Sequence, residues 1–233
     1  MSYTKTIMCL ANSLKLGGRC VAGREMRGGA VGPWVRPVSK QPGGELSEMD
    51  RCYSGGIEPI LGDIIEIPFQ APQKKSYQTE NHVIDKNKYW KKIGRAKWED
   101  ICLAIENDKG DIWINGGFSR HGLNDKIDVG SISGVFSSLR LIYPERVLLK
   151  VQVENAAFNG GNLKCRAYFN FFGTNYAFTV TDPVVQAQYV AAGVGEHDLG
   201  RVLLCLSLSE PLKGFVYKLV AAIFCQARFE RAV

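Results

Sequence analysis

Apolar residues come in short runs, divided by polar stretches that carry glycine. Thr6–Ala11 (TIMCLA) is a continuous apolar run of strand length and predicts a buried strand. Asn12–Gly18 (NSLKLGG) reads as a polar loop ending in glycine, and Arg19–Gly23 (RCVAG) alternates like a returning strand. Trp34–Ser39 (WVRPVS) predicts another strand, which Pro37 confines to an edge or an end. Gly62–Phe69 (GDIIEIPF) alternates after a turn. The period then changes. Residues 82–107 carry Trp90, Ile93, Ala96, Trp98, Ile101, Ala104 and Ile105, and the stretch from Trp98 fits a helical stripe, with Gly94 separating a first turn from this main helix. Asp111–Ile114 (DIWI) returns to strand character.

Residues 130–138 (GSISGVFSS) are uncharged and rich in Ser and Gly, and read as a junction. After them Ser138–Tyr143, Val147–Val153, Leu163–Phe172 and Asn175–Thr181 are strand-like, with turns at Gly160-Gly161 and Gly173. Asp182–Ala192 opens with an N-cap Asp and a Pro in the first helical position, which predicts a short helix. Val202–Leu208 and Gly214–Cys225 are the last two strands. The pattern is mainly β: about five short strands, one helix, and the same again. It predicts two small OB-like barrels in tandem, each with an inserted or capping helix. The first would cover 1–135, with its helical insertion near 82–107, and the second 136–233. A pair of SH3-type barrels is the alternative.

Composition supports the many turns. Twenty-five of 233 residues are glycine, above the usual ~7%, and several are paired, as at Gly17-Gly18, Gly28-Gly29 and Gly116-Gly117. Seven cysteines without a CxxC pair, and three histidines none of which neighbours a cysteine, argue against a zinc site and for reduced, mostly buried thiols. No apolar run reaches the ~18 residues that would span a bilayer. The opening residues lack a signal-peptide pattern, so a cytoplasmic protein without membrane contact is expected. The net charge of +6 is unevenly spread. Residues 1–40 hold seven cations and one acid, and residues 74–97 hold eight cations and two acids. Such segregation can form a basic face for an anionic partner, or consist of solvated residues on unrelated faces.

The opening CLANSLKLGGRCVAG (9–23) with GPWVRPVS (32–39) resembles the start of the bacterial dual OB-fold proteins. The close, NYAFTVTDP (175–183) and LSLSEPLKGFVYKLVAAIF (206–224), resembles their end, so the likeness spans essentially the whole chain. It implies two OB-like domains and a nucleic-acid or nucleotide ligand. It carries over no catalytic residue.

Several constellations could serve such a ligand. The stretch holding Asn12, Ser13, Lys15 and Arg19 combines small polar groups, flexible glycines and two cations, which suits a phosphate. An ordinary β-hairpin would look the same, and the P-loop pattern is missing. Trp34 and Arg36 are two apart, so on a strand they share a face and could stack a base and clamp a phosphate. A core Trp34 with Arg36 at the rim is the alternative. Tyr168, Asn170 and Phe172 fall on one strand face with Arg166, and Cys165, Ala167, Phe169 and Phe171 fall on the other. The first set could stack bases and the second could form core. Lys86, Lys88, Lys91, Lys92, Arg95 and Lys97, with Tyr89, Trp90 and Trp98, could track a backbone or line a solvated surface. Asp63 with Glu66, Cys9 with His121, and Ser13 with His197 are the nearest approaches to catalytic sets. None has supporting spacing, and His121 and His197 read as loop histidines. The sequence therefore points to a non-catalytic nucleic-acid-binding module with no metal or cofactor. Phosphate contacts would come from Asn12, Ser13, Lys15, Arg19, Arg36, Lys91 and Lys92, and stacking from Trp34 and Tyr168. A sensor holding a nucleotide or modified nucleobase in a cleft between the barrels is the alternative; an enzyme with an unrecognised site and a pure interaction scaffold are the remaining ones, and a protein partner stays open.

Overall fold

The computed structural model describes residues 2–106, 109–154 and 161–231. The chain divides into two units: residues up to Ile105 with Phe136–Leu139, and Glu106–Val135 with the chain from Arg140 onward. Residues 106–135, expected in the first domain, thus belong to the second, and the Ser/Gly junction is split between the two.

The first unit contains β1 (Tyr3–Lys15), β2 (Gly18–Arg27), β3 (Ala30–Val38), the single-turn α1 (Glu48–Arg51), β4 (Asp63–Pro72), β5 (Asn81–Ile84), β6 (Lys91–Arg95) and α2 (Trp98–Leu103). Strand pairing runs β1-β2-β3-β5-β4, and β4 pairs back to β1, so five strands close a ring. The β3–β5 pair is parallel and the others are antiparallel. This is the Greek-key order of an OB barrel. Ile7, Cys9, Val21, Val35, Ile65, Ile67 and Phe69 fill its interior. Gly23 must be glycine, because a Cβ there would lie 2.1 Å from the Met8 carbonyl oxygen.

The second unit contains β7 (Lys126–Asp128), β8 (Leu139–Ile142), β9 (Val147–Glu154), β10 (Asn162–Phe171), β11 (Thr174–Val180), α3 (Pro183–Ala191), β12 (Gly195–Gly200), β13 (Leu203–Leu208) and β14 (Phe215–Phe224). The order β9-β10-β11-β14-β13 repeats the OB order, again with a parallel pair between its third and fifth strands. Among the described residues the ring stays open: β12 occupies the free edge of β9, and β8 that of β13. Asp182 caps α3 by accepting from the Val184 and Val185 amides, with Pro183 in the first turn, as its sequence predicts.

Four expectations need correction. Among the described residues of 82–106 the helical insertion shrinks to Trp98–Leu103, the start of the stripe read from Trp98, and the part before it is not helical. Asp85 ends β5 with a turn, its carboxylate accepting from the Asn87 amide and its carbonyl from Lys88. Asn81–Ile84 then fills the parallel slot beside β3, which no local period reports. Asp111–Ile114 is not a strand. Its backbone is held by side chains instead: the Ile112 amide donates to Tyr176 Oη, and the Ile112 carbonyl accepts from Lys218 Nζ. Asn12–Gly18 is not an open loop, because β1 runs through it into a two-residue turn at Leu16-Gly17. His197 lies on β12, opposite Leu149, rather than in a loop. Asn107 and Gly160 lie outside the described residues. None of the seven cysteines is in a disulfide, and Cys225 alone among them is exposed. No helix among the described residues is long and apolar enough to cross a membrane.

Lys218 on β14 is 1% exposed. Its ammonium donates to the Ile112 carbonyl at 2.8 Å and to Asn115 Oδ1 at 2.9 Å. Burial lowers its pKa to about 7, with Asp111 and Asp125 pulling the other way. Between pH 7 and the unfolded value near 10.5 the unfolded chain binds the extra proton, so this group adds stability as pH rises. The stability difference between wild type and Lys218→Met is expected to shift in favour of wild type by about 2 kcal/mol from pH 7 to 9. Denaturant melts of both at each pH check it, and parallel pH profiles would contradict it.

Candidate functional site

In the first unit the expected phosphate and stacking groups separate. Trp34 is buried, with the Arg24 guanidinium 5.4 Å from its ring centre, so it offers no face to a base. Arg36 is 2% exposed; its guanidinium meets the Glu80 carboxylate at 3.5 Å, and its amide donates to the Glu80 carbonyl. Ser138 donates to the same carboxylate. Arg36 therefore ties β3 to the segment before β5 and to Phe136–Leu139, and is not a surface clamp. The reason is that Trp34–Val38 is buried on both faces, so parity could not point either residue outward.

Ser13 is also buried, with its hydroxyl directed at the Cys20 carbonyl, and Asn12 Nδ2 donates to Pro59. Lys15 and Arg19 flank the Leu16-Gly17 turn and are half-buried. Lys92 lies 2.7 Å from the buried Asp63 carboxylate, and Arg95 lies 3.5 Å from it. Tyr53 Oη donates to the same group. Lys91 is largely exposed, 3.9 Å from Glu66. Asp63 and Glu66 thus each face cations, not a shared metal position. Among the described residues no three His, Cys, Asp or Glu side chains converge. Cys9 and Ser13 belong to the first unit, His121 and His197 to the second. Burial also pushes the Cys9 thiol up to about 12, away from nucleophilic character.

The second unit separates the two faces of β10 as the alternation predicts. Cys165, Ala167, Phe169 and Phe171 enter the core. Tyr168 and Asn170 face outward and line a cleft of about 720 Å³. Arg166 is the exception on that outward face. It is buried, with Nε and Nη2 donating to Glu154 at 2.5 and 3.0 Å and Nη1 to Asp125 at 3.3 Å. Burial alone would raise the Glu154 carboxyl, yet the guanidinium holds it below the usual carboxylate range. Asp125 also accepts from the Ser119 amide and hydroxyl, so the chain before β7 folds over this part of the face. Tyr168 Oη is directed at the His121 carbonyl, and Leu123 bridges to Ala177. What stays open is the region beyond Tyr168.

That open region collects Tyr143, Arg146, Phe172, Asn175 and Arg201 around Tyr168 and Asn170. The Arg201 guanidinium lies 4.3 Å from the Tyr143 ring centre. A guanidinium stacked through its face keeps its N–H edge for an anion. Arg146 pairs with Asp198 at 2.8 Å, both exposed. Phe172 is 59% exposed at the β10–β11 turn and takes a left-handed φ of 47°, with Gly173 at 83°. Tyr143, Arg146, Asn175 and Arg201 escaped the sequence reading. Hairpin register across Phe172-Gly173 could have placed Asn175 opposite Asn170. Tyr143 and Arg201 carry no local signal, since they meet only through the fold.

The family model of the dual OB-containing domain matches residues 5–223. No curated protein is similar enough to the chain to count as a relative.

Proposed function

The chain belongs to the dual OB-containing domain family, and from that premise we propose that it is a non-catalytic nucleic-acid-binding module whose second unit takes a single strand in the Tyr168 cleft. OB barrels commonly bind oligonucleotides or oligosaccharides. Tyr143, Tyr168 and Phe172 supply π-faces that any base can stack on. Arg201 and Arg146 supply the charge for the backbone. Lys15 and Arg19, beside the first unit's hairpin turn, are proposed separately as phosphate contacts of that unit alone.

The observation that carries this reading is Phe172. In the first unit the turn between the second and third barrel strands is Gly28-Gly29, which adopts positive φ at no steric cost. The second unit makes the same connection with Phe172-Gly173. The turn does not require a phenylalanine, and a side chain there costs about 1 kcal/mol of left-handed strain. Its ring meets Phe171 edge-to-face at 4.7 Å between centroids, yet 59% of the residue stays exposed. Strain held at an exposed aromatic is explained by a ligand that uses the ring.

Phe172→Asn is therefore expected to stabilise the protein by about 0.5–1 kcal/mol, since Asn tolerates the left-handed region. The same change is expected to weaken single-strand binding by about 1–3 kcal/mol. Thermal melts and fluorescence anisotropy with a labelled strand read the two effects. Unchanged binding alongside higher stability would make Phe172 a mere turn residue and sink the assignment. Replacing Arg146 and Arg201 together by Ala is expected to lower the salt dependence of log K by about 1.4, at roughly 0.7 per phosphate contact.

A further inference from the structure

Resting on that reading, the geometry points to a base preference: the cleft selects bases with a keto–imino edge, uracil, thymine and guanine, over adenine and cytosine. The argument starts from one backbone amide. The Gly173 N–H donates to a side-chain atom of Asn170 at 3.1 Å. An N–H can only donate, so that atom is the carbonyl oxygen Oδ1, and the orientation of the Asn170 amide follows. Its Nδ2 then faces Asn175 at 2.9 Å, and the atom it meets there must be the acceptor Oδ1. The pairing is supported by register, because Asn170 and Asn175 are direct cross-strand partners. Asn175 Nδ2 is thereby turned away from Asn170, and among the described residues it has no acceptor. One N–H of Asn170 Nδ2 is left over as well.

The amide pair, which lines the cleft, thus leaves N–H donors over, while each of its carbonyl oxygens already accepts one hydrogen bond. The cations of the cleft, Arg146 and Arg201, are donors too. Among the described residues the one carboxylate lining the cleft is the exposed Glu145. A base that satisfies such a set carries a carbonyl for Asn175 Nδ2 and a ring N–H for the carboxylate. Uracil and thymine offer C4=O beside N3–H, and guanine offers C6=O beside N1–H. Adenine and cytosine place an amino group where the carbonyl would be, so donor meets donor. Their adjacent ring nitrogen is an acceptor, which faces the carboxylate without a proton between them.

The test compares labelled cytidine 12-mers whose three central positions are cytidine, uridine, inosine or adenosine. Inosine carries the keto–imino edge of guanine on a purine that stacks much as adenine does. Anisotropy titrations of the wild-type chain are expected to show the uridine and inosine strands binding about fivefold or more tighter than the adenosine and cytidine strands. In Asn175→Asp the donor becomes an acceptor while the link to Asn170 Nδ2 is kept, and the preference is expected to fall below about twofold. Four strands bound within twofold by the wild type, or adenosine bound tightest, would overturn the base preference and leave strand binding intact. Binding of none of the four would overturn both. A preference that survives in Asn175→Asp would also overturn it, because some other group would then be reading the base.

Discussion

Replacing Tyr168 and Phe172 together by alanine is expected to weaken single-strand binding by about 2–6 kcal/mol, at 1–3 kcal/mol for each stacked base. The two rings line one cleft but sit on different elements, Tyr168 on the outer face of β10 and Phe172 in the turn beyond it. Neither belongs to the apolar core, whereas Phe169 and Phe171 on the opposite parity do. The fold should survive the double change, with a melting temperature close to that of wild type. Loss of binding with an unchanged melt would therefore report on stacking. Affinity within threefold of wild type would place the strand elsewhere on the molecule.

Arg166→Met is expected to destabilise the second unit by about 3–5 kcal/mol, the range for removing one partner of a buried ion pair. The guanidinium holds Glu154 and Asp125, both less than one-tenth exposed, and no other cation pairs with either among the described residues. Without Arg166 two carboxylates face each other across a desolvated space. The sign of the pH effect follows from Glu154, whose folded pKa is depressed. The stability it contributes is present above its unfolded value near 4.3 and is lost as pH falls through the folded value. The gap between wild type and Arg166→Met should therefore narrow as the pH is lowered below about 4. Urea melts at pH 7 and pH 3.5 measure this. A variant as stable as wild type at pH 7 would show the triad to be dispensable.

Sequence alone gave a good view of what is local and a poor view of what is not. The β10 alternation was readable because a period of two needs no partner to be seen, and Tyr168 and Asn170 emerged from it; Phe172, read onto the same strand face, lies instead in the turn after β10. Asp182-Pro183 was readable because capping chemistry lies within one turn. Trp34 and Arg36 misled because β3 is buried on both faces, which erases the parity that would tell inside from outside. β5 was hidden because its parallel partner β3 lies far away in the chain. Arg166 shared the parity of the open face, but the segment carrying Asp125 folds over it. Lys92 and Arg95 looked available and instead meet Asp63. The Tyr143–Arg201 stack was beyond reach, since it joins the loop before β9 to the loop after β12.

The most direct test of strand binding in the second unit is an amide chemical-shift titration of the isotope-labelled chain with a uridine 12-mer at low and high salt. The expected result is a set of salt-sensitive shifts centred on residues 143–148, 168–175 and 201. Shifts confined to the first unit, or none at millimolar strand, would contradict the assignment of that cleft.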